Sequence, residues 1–318
     1  MRSKTWQRPA FTLIQLLVAL AIMGVLVALT AVGIQAARAA ARRISCANNL
    51  RQIGIGLNSF AASKQVLPAL VETGSPGGGA GPLYAIAPFL DESTKDPSSF
   101  YLVHRHLPPF PEAFGSLREI LLCPSDYGRS GTNYRSNAGS DPYVYRQGGR
   151  LLGPFGFNTK LSLSRITDGL DNTAAYSERI RGDGTQRREY LGNTRICGVQ
   201  SAGVENPPTL DDVLATCFPL ASSSSVYGFS GHDWQVAGHA HAWYIHARGT
   251  NPTEQDLILG SPVGPVMPDG GVVDARSYHP GGAYLAFASG RVKFFTDSTD
   301  VQIWRSLGTA SAGEVSGN

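Results

Sequence analysis

Hydrophobic and polar positions divide this chain unevenly. Between Arg8 and Arg38 no residue carries a charge, and fourteen residues from Phe11 to Ile34 are Leu, Ile, Val or Phe. A run of about 20 apolar residues crosses a bilayer as a helix. At roughly −0.3 to −0.6 kcal/mol for each of them, less the penalty for Gln15, insertion is favourable by several kcal/mol. A helix also satisfies its own backbone hydrogen bonds, which lipid does not. The stretch exceeds the roughly 7–15 apolar residues of a secretory signal. A transmembrane helix is therefore expected over residues 11–34, after a basic leader at 1–10.

The pattern then changes without a break. The Ala-rich segment QAARAAARR follows with high helix propensity. Cys46, Leu50, Ile53, Leu57 and Phe60 next recur at three- and four-residue intervals, one face of a helix. Arg42, Arg43, Asn48, Asn49, Arg51, Gln52 and Asn58 fall off that face. This predicts a helical extension over 35–62 that packs on a soluble domain at 63–318. Gly54 and Gly56, each costing about 1 kcal/mol relative to Ala, predict a kink or frayed end there. Unbroken from Phe11 to Phe60, the helix would be about 75 Å long.

Further on, signals are short. ETGSPGGGAGP at 72–82 is a loop, and without a following GK[ST] it is no phosphate cradle. Residues 81–92 read as a short helix with Leu83, Ile86, Phe89 and Leu90 inward, and 96–111, with His104 and His106, as a surface loop. A strand is expected at Thr173–Ser177. Near the end, Ala283–Ala288 and Arg291–Thr296 form a hairpin, 283–296, turning on a two-residue loop at Ser289 and Gly290. Alternation there puts Arg291, Lys293 and Phe295 on a wet face and Val292 and Phe294 inside. The fold class is α+β, a long N-terminal helix on an antiparallel, β-rich, loop-rich domain.

Charge sharpens the division. The net charge is +3, but residues 1–71 hold eight Lys or Arg and no acid, leaving 19 basic against 24 acidic residues beyond them, a net −5. The soluble part is mildly acidic, so no nucleic-acid partner is expected. Three basic residues lie on each side of the span, so charge alone does not orient it.

Candidate chemistry is sparse. None of the four cysteines sits in a CxxC pair, which argues against a zinc knuckle. Two bridges could form in three ways in an oxidising compartment; Cys197 with Cys217 closes a short loop and is the preferred pair. Cys46, on an apolar helix face, equally fits a buried free thiol. Cys123 has no neighbouring His in sequence to make it a nucleophile. His239 and His241 would share a face if the segment were a strand, the arrangement two zinc ligands use, but no third ligand stands at a recognisable spacing. They are weak metal candidates, and aromatic strand residues are the preferred reading. Asp168, Asp171, Asn172 and Glu178 offer oxygens suited to calcium, without EF-hand spacing. No GxSxG, HExxH, P-loop or dinucleotide fingerprint is present, so neither an enzyme nor a cofactor is expected.

Several segments carry a resemblance. The basic leader followed by Phe-Thr-Leu-Ile and an apolar helix resembles the cleavage and methylation segment of type IV prepilins and pseudopilins. AARAAARRISCANNLRQIGIGLNSF, LLCPSD, TNYRSNAG, ITDGLDNTAAYSER and the C-terminal stretch resemble a planctomycete-type bacterial family of unknown function, sometimes labelled solute-binding-like, that joins such a start to one outer domain. The resemblance implies cleavage by a prepilin peptidase between Ala10 and Phe11, and N-methylation of Phe11. Ala10 stands where Gly is usual, and Gln15 where a Glu is thought to pair with a neighbouring subunit's amine. Gln cannot form that charge-assisted pair. The family's closing motif is His, nine residues, then Asp-Gly; here it is His279 with Ser289-Gly290. The resemblance implies a single-pass inner-membrane protein, N-terminus cytoplasmic and domain periplasmic or at the cell surface. Its partners would be the lipid bilayer, prepilin peptidase and other pilin-like subunits. The leading expectation is a pilin- or pseudopilin-like structural protein. The alternative is an anchored solute- or polysaccharide-binding module that does not polymerise.

Overall fold

Helix α1 runs without interruption from Leu13 to Lys64. The computed structural model describes residues 12–72, 79–91, 94, 115–126, 128, 131–144, 153–197, 208–219, 225–260 and 270–311. The cleavage pair Ala10 and Phe11, the loop histidines His104 and His106, and the centre of the Gly-rich loop lie outside those residues. The chain divides into two units between Ile44 and Ser45.

In the first unit, Thr12 and Gln15 start α1 with a reciprocal pair. The Thr12 amide donates to Gln15 Oε1 at 3.1 Å and the Gln15 amide to Thr12 Oγ1 at 3.4 Å. This is a capping box, which satisfies two of the donors a helix start leaves free. Every residue from 12 to 42 is exposed. Within α1 lies one stretch long and apolar enough to cross a membrane.

The second unit takes over the same helix. Cys46, Leu50, Ile53, Leu57, Phe60 and Ala61 enter its core. The helix runs on through Gly54 and Gly56 without fraying, and both glycines mark close approaches. A Cβ on Gly54 would lie 2.9 Å from Gly290 Cα, and one on Gly56 2.6 Å from Leu90 Cδ2. α1 ends where Gln65 turns to φ +60°, its amide still donating to the Ala61 carbonyl.

Past α1 come α2 (Pro82–Ile86), α3 (Gly115–Leu121), β1 (Tyr134–Asn137), β2 (Ala174–Glu178), β3 (Thr194–Cys197), α4 (Leu210–Cys217), β4 (Val226–Tyr227), β5 (Trp243–Tyr244), β6 (Asp256–Leu259), β7 (Gly270–Val272), β8 (Gly282–Phe287), β9 (Val292–Thr296) and α5 (Val301–Ser306). The strands form two sheets, ordered β5-β1-β2-β8-β9 and β4-β3-β6-β7. Neither is wholly antiparallel as expected: β1 pairs with β5, and β3 with β6, in parallel. β1 can sit centrally because its four residues are all buried, with Asn137 donating to the carbonyls of Ala174 and Gly308.

A buried ion cluster links segments of the two sheets. Asp256 on β6 meets Arg179, just after β2, at 2.7 Å, Arg276 at 3.0 Å and Arg248 at 2.9 Å. Arg248 also reaches Asp274 at 2.7 Å. Burial opposes the charge on Asp256, but the three guanidiniums together hold its carboxyl below the usual range. Burial lowers Arg179 to about 10 despite that carboxylate.

The C-terminal hairpin turns on three residues rather than two. The Phe287 amide donates to the Arg291 carbonyl and the Gly290 amide to the Phe287 carbonyl, with Gly290 at φ +86°. Such a loop needs a glycine in the left-handed region. The expected wet face is also only partly wet. Phe295 is buried between Phe287 and Trp304 of α5, while Lys293 lies over its ring. The covering helix α5, N-capped by Asp300, makes the difference.

Candidate functional site

At the point where α1 enters the second unit, four side chains from distant parts of the sequence converge. Cys46 of α1 is bonded to Cys123, which follows α3, across 77 residues. Beside that bridge stand Glu178, the last residue of β2, and His279, in the turn before β8. One ligand-type atom from each of the four lies within 4.8 Å of all the others, and all four residues are buried.

Each is fixed by its neighbours. The Cys123 amide donates to Asn133 Oδ1 at 3.0 Å, and Asn133 Nδ2 donates to Asp126 Oδ2 and the Arg179 carbonyl. The Tyr134 hydroxyl donates to the Cys46 carbonyl at 3.1 Å. Burial raises that phenol's pKa well above its ordinary value, so Tyr134 stays a neutral donor. Glu178 accepts the Tyr284 amide on Oε2, which turns Oε1 toward His279 Nε2 at 3.1 Å. The His279 amide is held by Ser277 Oγ. His279 Nε2 also lies 3.9 Å from Cys123 Sγ. In the tautomer that carries its proton on Nε2, the imidazole donates to Glu178 Oε1.

The rest of the C-terminal motif serves the same junction. The Ser289 carbonyl accepts from Asn58 Nδ2 of α1 at 3.0 Å, and Gly290 lies against Gly54. Ser289 Oγ donates to Asp171 Oδ1 at 2.6 Å. The motif therefore seats the hairpin turn on α1 and sets His279 against the disulfide at its root.

Other candidates lie elsewhere. Cys197 at the end of β3 and Cys217 at the end of α4 are bonded to one another. Cys46, which also fitted a free thiol, is bonded, because Cys123 reaches it from α3. Gln15 is engaged in its own helix cap. His239 and His241 occupy a turn before β5 rather than a strand. His239 is stacked edge-on against Trp243, 5.4 Å between ring centres, and neither ring nitrogen has a hydrogen-bond partner among the described residues. Burial pushes it down to about 3, and His241 to about 4. Among the described residues, the group of three or more potential ligands that lies together is the four at the junction. Of the oxygens grouped with calcium in mind, Glu178 is committed to His279 and Tyr284.

Sequence reasoning singled out Glu178 and Cys46 but missed the pairing with their partners, His279 and Cys123. The one available signal was that LLCPSD, AAYSER and the His279 motif all belong to segments sharing a family resemblance.

An uninterrupted helix, apolar and exposed in its first part and buried in an α+β domain in its second, defines the class: an α+β domain built on an N-terminal helix of potential membrane-spanning length. The family described as "Protein of unknown function (DUF1559)" matches residues 35–302, and the chain belongs to that family. Its short label is of the solute-binding type. No curated protein and no solved structure matches the chain.

Proposed function

We propose that this chain is a single-pass, membrane-anchored extracytoplasmic structural protein of the pilin or pseudopilin type. The observation that carries the reading is the continuity of α1. A helix apolar on all sides needs lipid or protein around it, and the apolar residues 13–34 are exposed among the described residues. The same helix then supplies core residues to the folded unit. Two disulfides suit an oxidising compartment outside the cytoplasm. The basic leader stays inside, and other pilin-like subunits and the prepilin peptidase are the partners.

A second reading, an anchored solute- or polysaccharide-binding module that does not assemble, is favoured by Gln15. Its side-chain oxygen closes the capping box of its own helix and carries no charge for a neighbouring amine.

Fractionation under alkaline wash, with intact-mass analysis of the N-terminus, tests the proposal. The expected result is a detergent-requiring protein whose chain begins at N-methylated Phe11. A chain in the same fraction that still begins near Met1 favours the permanent, non-assembling anchor. A soluble mature protein lacking the apolar stretch removes both readings.

A further inference from the structure

We propose that Cys46, Cys123, Glu178 and His279 form a zinc site that exists only when the Cys46–Cys123 disulfide is reduced. In the oxidised chain the two sulfurs are bonded to each other and hold no ion. In the reduced chain they are two thiols beside an imidazole and a carboxylate, the donor set of a closed, four-coordinate structural site.

The geometry is close to what a tetrahedral ion requires. Zinc bonds of ~2.0–2.3 Å put imidazole and carboxylate atoms ~3.3 Å apart, imidazole and sulfur ~3.5 Å, and two sulfurs ~3.8 Å. His279 Nε2 already lies 3.1 Å from Glu178 Oε1 and 3.9 Å from Cys123 Sγ. The remaining pairs lie within 4.8 Å, so closing on an ion asks for small adjustments there, while the two sulfurs have to part, which breaking their bond permits. The outer contacts are also present. The Tyr284 amide holds Glu178, and the Asn133 side chain holds the Cys123 backbone. Such contacts orient ligands and strengthen metal binding.

The steps balance. A dithiol reductant gives two electrons and two protons to the Cys46–Cys123 bond and becomes a disulfide. Zinc then displaces both thiol protons into solvent. The Nε2 proton of His279 relocates to Nδ1, leaving Nε2 free to bind. The junction of α1 with its domain would so be held by a covalent staple when oxidised and by an ion when reduced.

The test uses the full chain in detergent carrying Cys197→Ser and Cys217→Ser, so that only the junction pair can change. A water-soluble phosphine reduces it, becoming the phosphine oxide with oxygen from water, and zinc is titrated under argon. The expected result is one zinc per reduced chain, none per oxidised chain, and visible thiolate absorption when cobalt replaces zinc. His279→Ala and Cys46→Ala should each weaken binding at least about ten-fold. If reduction unfolds the chain, zinc should restore its circular dichroism. Failure of zinc to bind the folded reduced chain, or to refold the unfolded one, overturns the proposal. So does binding that both substitutions leave unchanged.

Discussion

Replacing each disulfide by a pair of alanines should cost unequal amounts, in an order set by loop length. Alanine is chosen over serine so that no hydroxyl is left in the buried junction. The Cys46–Cys123 bridge spans 77 residues and the Cys197–Cys217 bridge 20. Loop-closure entropy for those lengths converts to about 4.5 and about 3.3 kcal/mol at 25 °C. The first loss has a structural reading, because that bridge ties α1 to the segment after α3. Leu50, Ile53, Leu57 and Phe60 supply buried contacts of their own, so the later part of α1 should remain docked while the stretch around Cys46 loosens. The assay is denaturant unfolding of full chains in one detergent, followed by tryptophan fluorescence. Hydrogen exchange over residues 45–64 would report the loosening. Equal losses, or a larger loss for the Cys197–Cys217 pair, would refute the argument from loop length.

Three further outcomes are expected. Asp256→Asn leaves Arg179, Arg276 and Arg248 buried around an uncharged amide, and should cost about 3–5 kcal/mol; a loss under about 1 kcal/mol in thermal unfolding would show the cluster to be dispensable. Gly54→Ala improves helix propensity yet sets a methyl 2.9 Å from Gly290 Cα, so it should destabilise by about 1–2 kcal/mol net. Gly33→Ala, with nothing within 4 Å, should not destabilise. Finally, the buried His239 and His246 and the partly buried His241 are held neutral by desolvation, pushed down to about 3, 3 and 4. The unfolded chain takes up their protons first, from about pH 6.5 downward. Stability should therefore fall as pH drops below about 6.5, by about 1.4 kcal/mol per unit for each histidine. The loss is complete only as pH passes through about 4 and then 3. A thermal midpoint unchanged between pH 6.5 and 4.5 would contradict that burial.

Local pattern was sufficient for α1 and the hairpin. The span over 11–34 and the face Cys46–Phe60 are properties of residues a few positions apart, and helix geometry turns such spacing directly into surface. The same holds for the existence of the hairpin of β8 and β9 and for Gly290 in its turn, but not for the length of its loop or for which face of β9 is covered. Sheet order was not legible, because the parallel neighbours of β1 and β3 come from 107 and 62 residues downstream, and no local period encodes a partner. Phe295 was misplaced for a similar reason: only α5, arriving later in the chain, makes its side of β9 an inside.

What the sequence by itself determined about this protein is a long helix, apolar first and amphipathic after, leading into a turn-rich domain. The tertiary structure alone decided what the marked residues do. Gly54 is legible as a helix-weakening residue but becomes a seat for Gly290. His279 is legible as half of a motif but becomes the neighbour of Glu178 and a disulfide. Propensity acts over one or two turns of chain, whereas a site is a coincidence in space. Cys46, Cys123, Glu178 and His279 meet only once the core has brought four separate stretches together.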